Sequence, residues 1–252
     1  MSEQIEKDKI YNCDCLEGMK HIPNASIDAI ICDLPYGTTA NKWDSIIPLD
    51  LLWEQYKRII KKGAPIVLFG SEPFSTILRS SNLKWYKYDW IWEKEQGVGF
   101  QLAKVRPMMK HENISVFSQT SPLYNPQMVK LKEPKIMKRA EGSNGNSDTS
   151  PLAHSEKRVS VYTESYPVSI LRFDRDADSF HPTQKPVDLL RYLIRTYSNE
   201  GDTILDNCMG SGTTAVACII EKRHFIGFEL SKDYYDKACR RIDAERRQLS
   251  LF

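Results

Sequence analysis

Several features that would classify a chain at once are missing from this one. No run of 18 apolar residues occurs, so no membrane-spanning helix is expected. The first residues, Met1-Ser2-Glu3-Gln4-Ile5-Glu6-Lys7-Asp8, contain no apolar signal-peptide core, which points to a cytoplasmic protein. None of the six cysteines forms Cys-x-x-Cys, and no histidine stands at zinc-finger spacing from them, so no metal site is expected. Cys13, Cys15, Cys32, Cys208, Cys218 and Cys239 fall mostly in apolar strand or helix contexts, as reduced, buried thiols do. A large excess of one charge is also missing: 35 Lys and Arg face 33 Asp and Glu, a net +2. Any nucleic-acid surface must then be a local patch and not a uniform field. What is present suffices for a core. The 252 residues are 41% hydrophobic and 10% aromatic, which fits one large domain or one domain with an insert.

The organising stretch is Ile30-Ile31-Cys32-Asp33-Leu34-Pro35-Tyr36-Gly37. The apolar run Ile27 to Cys32 reads as a buried strand of a parallel sheet. It stops at Asp33, and Pro35 and Gly37 forbid an ordinary continuation. A carboxylate, a rigid turn and an aromatic ring are thereby presented at the carboxyl end of a strand, the edge where open α/β sheets bind ligands.

A second motif lies far along the chain, at Leu205-Asp206-Asn207-Cys208-Met209-Gly210-Ser211-Gly212-Thr213-Thr214. It follows a short strand, Thr203 to Leu205, and opens a helix of about Thr213 to Lys222. A glycine-rich turn in that position brings a ligand close to bare backbone. The next strand, Phe225-Ile226-Gly227-Phe228, ends in Glu229, an acid placed to hold ribose hydroxyls. The loop lacks the third glycine of a dinucleotide fingerprint and the Gly-Lys-Ser/Thr ending of a phosphate loop. A nucleoside cofactor without a pyrophosphate fits it.

With both motifs in hand, Asp33-Leu34-Pro35-Tyr36 resembles the Asp-Pro-Pro-Tyr motif of amino-methylating DNA methyltransferases. His181-Pro182-Thr183-Gln184-Lys185-Pro186 followed by the Gly210–Thr214 loop resembles their S-adenosylmethionine site. The catalytic motif preceding the cofactor loop is similar to the β class of these enzymes. The resemblance covers residues 9–118 and 167–240, with Leu34 in place of the first proline and Asn207-Cys208 in place of Pro-Phe. It implies a Rossmann-like α/β fold with a mainly parallel seven-stranded sheet flanked by helices. The halves would be a catalytic one (1–120) and a cofactor-binding one (181–252), separated by a target-recognition insert (121–180).

The chemistry implied is methyl transfer from S-adenosylmethionine to adenine N6 in double-stranded DNA, on a flipped base. That amine is a poor nucleophile because its lone pair is delocalised into the ring. Asp33 and the Leu34 carbonyl would each accept one amine hydrogen bond, Pro35 would fix the turn, and Tyr36 would stack on the base. Cofactor contacts would come from Cys15, Thr183, Gln184, Lys185, Asp206, Asn207, Cys208, Gly210, Ser211, Gly212, Thr213, Thr214, Glu229 and Leu230. Asp14 either caps the following helix or bonds the cofactor's adenine amine. Cytosine N4 demands the same geometry, but relatives acting on cytosine usually carry Ser-Pro-Pro-Trp or Tyr, so Asp33 favours adenine. A rival of another class is a catalytically inactive DNA-binding module with this fold. A homodimer and a cognate restriction endonuclease stay open as partners.

The remaining segments fill in the frame. Helices are expected over Cys15–His21, Leu49–Lys62, Pro73–Ser80, a stretch opened by Pro186, and Lys232–Gln248; strands over Ile10–Cys13, Pro65–Phe69, Tyr86–Trp92 and Asn113–Phe117. Glu93 to Phe100 reads as a flexible link. The loop holding Trp43 either closes over substrate or anchors that ring in the core. Lys94 and Arg106 are candidate phosphate contacts, as are Lys130, Lys132, Lys135, Lys138 and Arg139, which cluster in the Pro-, Ser- and charge-rich insert. Within that insert, Glu141 to Asp148 is too polar to order itself alone.

Overall fold

The computed structural model describes residues 5–37, 45–139, 158–176 and 184–249. The chain forms two units, one of residues 1–125 and 169–252 and a smaller one of Pro126–Val168. In chain order the strands are β1 (Lys9–Tyr11), β2 (Ala29–Cys32), β3 (Ile66–Gly70), β4 (Tyr86–Val98), β5 (Met109–Phe117), β6 (Val129–Arg139), β7 (Arg158–Ser165), β8 (Ile170–Arg172), β9 (Thr203–Asp206) and β10 (His224–Phe228). The helices are α1 (Cys15–Met19), α2 (Leu49–Ile59), α3 (Phe74–Ser81), α4 (Val187–Tyr197), α5 (Thr213–Ile220) and α6 (Lys232–Leu249).

The larger unit is built on one sheet in the order β1-β10-β9-β2-β3-β5-β4-β8. Every neighbouring pair is parallel except the two that involve β5. Among the described residues the sheet therefore has eight strands, one more than the seven expected, and only β5 is reversed. The central strands are buried on both faces and read as unbroken apolar runs, as parallel strands must when helices cover them. Ile31, Val67 and Phe69 pack with Leu189, Leu190 and Leu193 of α4 on one face. Ile30, Cys32 and Leu68 pack with Leu52, Tyr56 and Ile59 of α2 on the other.

This order positions the site. From β2 the chain moves outward to β3; from β9 it moves the opposite way to β10. β2 and β9 lie side by side, with Ile30 opposite Leu205. Their carboxyl ends flank the point where the winding reverses, and a crevice opens there.

Some boundaries differ from expectation for identifiable reasons. The link expected at Glu93 is a continuation of β4 to Val98, paired with β5 through Trp92–Glu112, Glu93–His111 and Val98–Met109. The charges that read as loop are cross-strand partners: Lys94 pairs with Glu112, and Lys110 with Glu93. α2 stops at Ile59, because Ile60 turns extended and bridges to Ile27.

Within the span expected for the insert, residues 121–180, the smaller unit covers Pro126–Val168; its described part is the antiparallel β6–β7 pair, and the chain re-enters the main sheet at β8. Trp43, the Glu141–Asp148 stretch and the His181-Pro182-Thr183 part of the cofactor motif lie outside the described residues. All six cysteines are free thiols; Cys15, Cys32 and Cys218 are buried and the other three half-buried.

Candidate active site

A cavity of about 610 Å³ opens at the crevice. Asp33, Leu34, Pro35 and Tyr36 line it from the end of β2. Asp206, Asn207, Cys208, Gly210, Ser211, Thr213 and Thr214 line it from the β9–α5 turn, Glu229 and Leu230 from the end of β10, and Asp14 and Cys15 from the start of α1. Gln184 and Lys185 close it from the segment before α4. Motifs remote in sequence thus share one cavity, because β2 and β9 are neighbours. Gly212 is not part of the wall. It precedes α5 with φ of 77°, and a Cβ there would meet Ala238 at 3.2 Å, so glycine answers both the backbone and the close packing of α6.

At the β2 end, the Tyr36 hydroxyl donates to Asp33 Oδ1 at 2.5 Å, and Lys185 pairs with Asp33 Oδ2. Burial pushes the Asp33 carboxyl up from its usual range, against the pull of Lys185. Burial and the adjacent Asp33 raise the Tyr36 hydroxyl as well, so it stays protonated and remains a donor. One face of the Tyr36 ring rests on Phe74, with centroids 5.2 Å apart.

At the loop end, Glu229 is held by backbone. Gly210 N–H donates to its Oε2 and Ser231 N–H to its Oε1, both at 2.8 Å. Asp206 accepts from the Thr214 hydroxyl at 2.6 Å and from Cys208 N–H at 3.1 Å. Burial pushes its carboxyl up to about 6. The departure Asn207-Cys208 has its own support: Asn207 Oδ1 accepts from the buried Tyr56 hydroxyl at 2.5 Å. Asp14 caps α1, accepting from Leu16 and Glu17 N–H, while also facing the cavity.

Two further placements depart from the sequence reading. Lys185, expected at the cofactor, is tied to Asp33 and lies 3.3 Å from Glu112. Lys94, expected on phosphate, is buried beside Glu112 at 2.5 Å, because the extension of β4 turns it inward; it cannot serve as a surface cation. Arg106 is exposed at the cavity. Lys130, Lys132 and Lys135 are exposed on β6 of the smaller unit, whose strand also carries Lys138 and Arg139.

Sequence reasoning missed Glu112 and Arg241. Glu112 was visible only as an acid directly before a fully buried strand segment. Arg241, from α6, donates to Ser211 O at 3.2 Å and Thr213 Oγ1 at 2.9 Å, bracing the glycine loop.

Comparison with known proteins decides the family. A family model described as DNA methylase, the N6/N4 methyltransferases, matches residues 27–240. The chain belongs to this DNA methylase family. The DNA adenine methyltransferase YhdJ of Escherichia coli (strain K12) is 29% identical over 251 residues, covering 94% of this chain and 83% of the relative. In fold, the methylase resembles M1.HpyAVI in its SAM complex, with TM-score 0.62 and 22% identity over 92% of this chain and 98% of that one. It also resembles the cytosine-N4-specific PvuII DNA methyltransferase, with TM-score 0.69 and 14% identity over 94% and 87% of the two chains.

Methylases of this family draw their methyl group from S-adenosylmethionine, and the cavity's chemistry suits that donor. Carboxylates of Asp14, Asp206 and Glu229 line the cavity, acceptors of the kind that the hydroxyl and amine donors of a nucleoside require, and Gly210, at φ of 54°, leaves backbone bare beside them.

Proposed function

We propose that this methylase transfers the methyl group of S-adenosylmethionine to adenine N6 in double-stranded DNA, with the target base turned out of the helix. The observation that carries the proposal is the single cavity that joins Asp33 and Tyr36 to the Gly210 loop and Glu229. Glu229, Asp206, Asp14 and the loop backbone would hold the cofactor, and Cys15, Cys208 and Leu230 would wall it. When bound, it supplies an electrophilic methyl on sulfonium sulfur.

The chain's own residues supply the rest. Asp33 accepts one hydrogen of the exocyclic amine, and the Leu34 carbonyl accepts the other. Two acceptors at that angle draw the lone pair out of the ring and offset the positive charge that develops on nitrogen. The nitrogen must then shed a proton. Asp33 is in reach, and its raised carboxyl suits it to the task. Phe74 backs one face of Tyr36, leaving the other for the base, and base–aromatic stacking of roughly 1–3 kcal/mol offsets part of the extrusion cost.

Two points favour adenine. The first residue of the tetrapeptide is an aspartate, and the relative YhdJ is named for adenine methylation. The fold likeness to a cytosine-N4-specific enzyme keeps cytosine as the second reading, since the two amines ask for the same acceptors. An inactive DNA-binding module is disfavoured, because Asp33, Tyr36 and Glu229 stand in the cavity with their polar groups intact.

We assign the β6–β7 unit to target recognition, with Lys130, Lys132, Lys135, Lys138, Arg139 and, on the larger unit, Arg106 on phosphate. Replacing Lys130, Lys132 and Lys135 by alanine should lower the slope of log Kobs against log salt by about 2–3, at roughly 0.9 per phosphate contact. An unchanged slope would refute that assignment.

The target base is tested by digesting DNA from cells that express the protein and resolving the nucleosides by mass spectrometry. N6-methyladenine is expected. N4-methylcytosine alone would overturn the adenine reading.

A further inference from the structure

Behind Asp33, ionisable side chains continue inward in a row. Lys185 bridges Asp33 and Glu112, and Lys94 pairs with the far oxygen of Glu112 at 2.5 Å. The side chains of Lys185, Glu112 and Lys94 are only 7–10% exposed. Two cations and two anions make the row neutral, as burial demands. Among the described residues, Glu112 Oε2, the oxygen 3.3 Å from Lys185 Nζ, has no directed hydrogen bond. The cation paired with it, Lys185, is already committed to Asp33.

This arrangement conflicts with the task given to Asp33. Tyr36 holds one of its oxygens and Lys185 the other. An incoming amine must therefore share Asp33 with a cation, and a carboxylate neutralised at close range is a poorer acceptor. Lys185 cannot simply withdraw, because an unpaired buried ammonium is costly. Glu112 removes the conflict. It is a second acceptor within reach, with an oxygen in waiting, and Lys94 and β5 hold it in place.

We propose that Glu112 is a positioning residue for methyl transfer: it takes Lys185 over from Asp33 as the target amine arrives, so that Asp33 Oδ2 is released to the base while Lys185 stays paired. The inference rests on the reading of Asp33 as the amine's acceptor.

The groups facing Asp33 fix the sign of the test. They are Cys32 and Tyr36 on its own segment, Asp206 from β9, Glu112 from β5 and Lys185 from the segment before α4. Removing the Glu112 charge takes an anion away from Asp33 and leaves Lys185 wholly on it. Both changes make Asp33 harder to protonate. In Glu112→Gln the single-turnover rate should fall about 10–100-fold, the scale of a misplaced catalytic group. Its acid limb should also move to lower pH, by about one unit. Cofactor affinity, read by calorimetry, should stay within about threefold, since Glu112 contacts Asp33's partner and not the loop. Glu112→Asp keeps the charge but withdraws it from Lys185, and should fall between. It also serves if the glutamine variant does not fold.

Rates and acid limbs like those of the wild type in both variants would overturn the proposal. So would a rate loss that follows a lowered Tm with no movement of the limb. Asp33→Ala, which removes the acceptor, is measured alongside and separates the two readings. An active Asp33→Ala enzyme refutes the acceptor role itself. An inactive one beside a Glu112→Gln enzyme of unchanged profile refutes only the role of Glu112.

Discussion

Asp33 and Glu229 occupy equivalent places, each just beyond the end of a strand at the same sheet edge, yet they are held in opposite ways. Both oxygens of Glu229 accept from backbone N–H groups, those of Gly210 and Ser231. Both oxygens of Asp33 are held by side chains, a hydroxyl and an ammonium. Burial raises both carboxyls. Backbone donors are fixed by the fold, so Glu229 is a rigid acceptor whose geometry cannot respond to what binds. Side-chain donors can rotate away, so the environment of Asp33 can change during a catalytic cycle. A recognition site profits from the first arrangement and a reacting site from the second.

The most severe way to break this contrast is at Asp33. Asp33→Asn keeps the shape and removes the charge. The single-turnover methyl-transfer rate should fall about 10²–10⁴-fold, the range lost when a positioned acid–base or charge-stabilising group is removed. Calorimetric affinity for S-adenosylmethionine should change little if, as proposed, Asp33 acts on the base. For the wild type, the rate should fall with falling pH from above the ordinary carboxylate range, since Asp33 must be ionised and its carboxyl is raised. Undiminished turnover in the variant would contradict the assignment.

Asp206 tests what a buried carboxylate costs when it has neither arrangement in full. It sits on β9, between the other two strands; its donors include the Thr214 hydroxyl and Cys208 N–H, and among the described residues no cation pairs with it. Its folded value of about 6 lies above the ordinary unfolded value of about 3.9. The folded state then holds the proton more tightly. The stability associated with that proton is fully present below about pH 3.9 and is lost as pH rises through about 6. Urea unfolding of the wild type and of Asp206→Asn, compared between pH 4 and 7, should show the wild type losing up to about 3 kcal/mol relative to the variant. A difference that stays flat, or that grows in favour of the wild type with rising pH, would contradict the raised value.

The two ends of the site also differ in how far the sequence revealed them. The β9 loop and Glu229 were legible because strand, glycine turn, helix and following acid are local features with a mechanism. The Asp33 turn was legible for the same reason: an apolar strand broken by proline. The partners of Asp33 were not. Lys185 and Glu112 come from distant segments, and that Lys94 meets Glu112 is settled by register across β4 and β5. Lys94 shows the cost of missing that register. Read as part of a loop it looked like a surface cation; once β4 extends past Glu93, the pleat turns it inward to Glu112. The reversal of β5, to which β4 pairs, has no signature in periodicity, since alternation is blind to strand direction.

The mildest test lies at Glu229. Glu229→Ala deletes the acceptor proposed for ribose hydroxyls and leaves Gly210 and Ser231 N–H without their partner. Charge-assisted hydrogen bonds are worth about 1–3 kcal/mol, so cofactor affinity should weaken about 5–150-fold. At saturating cofactor, the methyl-transfer rate should recover most of the wild-type value, because nothing at Asp33 has changed. Glu229→Gln retains one carbonyl acceptor for one of the two N–H groups and should lose less than the alanine variant. That split, affinity lost at Glu229 and rate lost at Asp33, follows from rigid backbone donors on one carboxylate and movable side-chain donors on the other. A Glu229→Ala enzyme with unchanged affinity would remove Glu229 from the cofactor site. One with a depressed rate at saturation would mean that the loop, braced by Arg241, also sets the geometry of transfer.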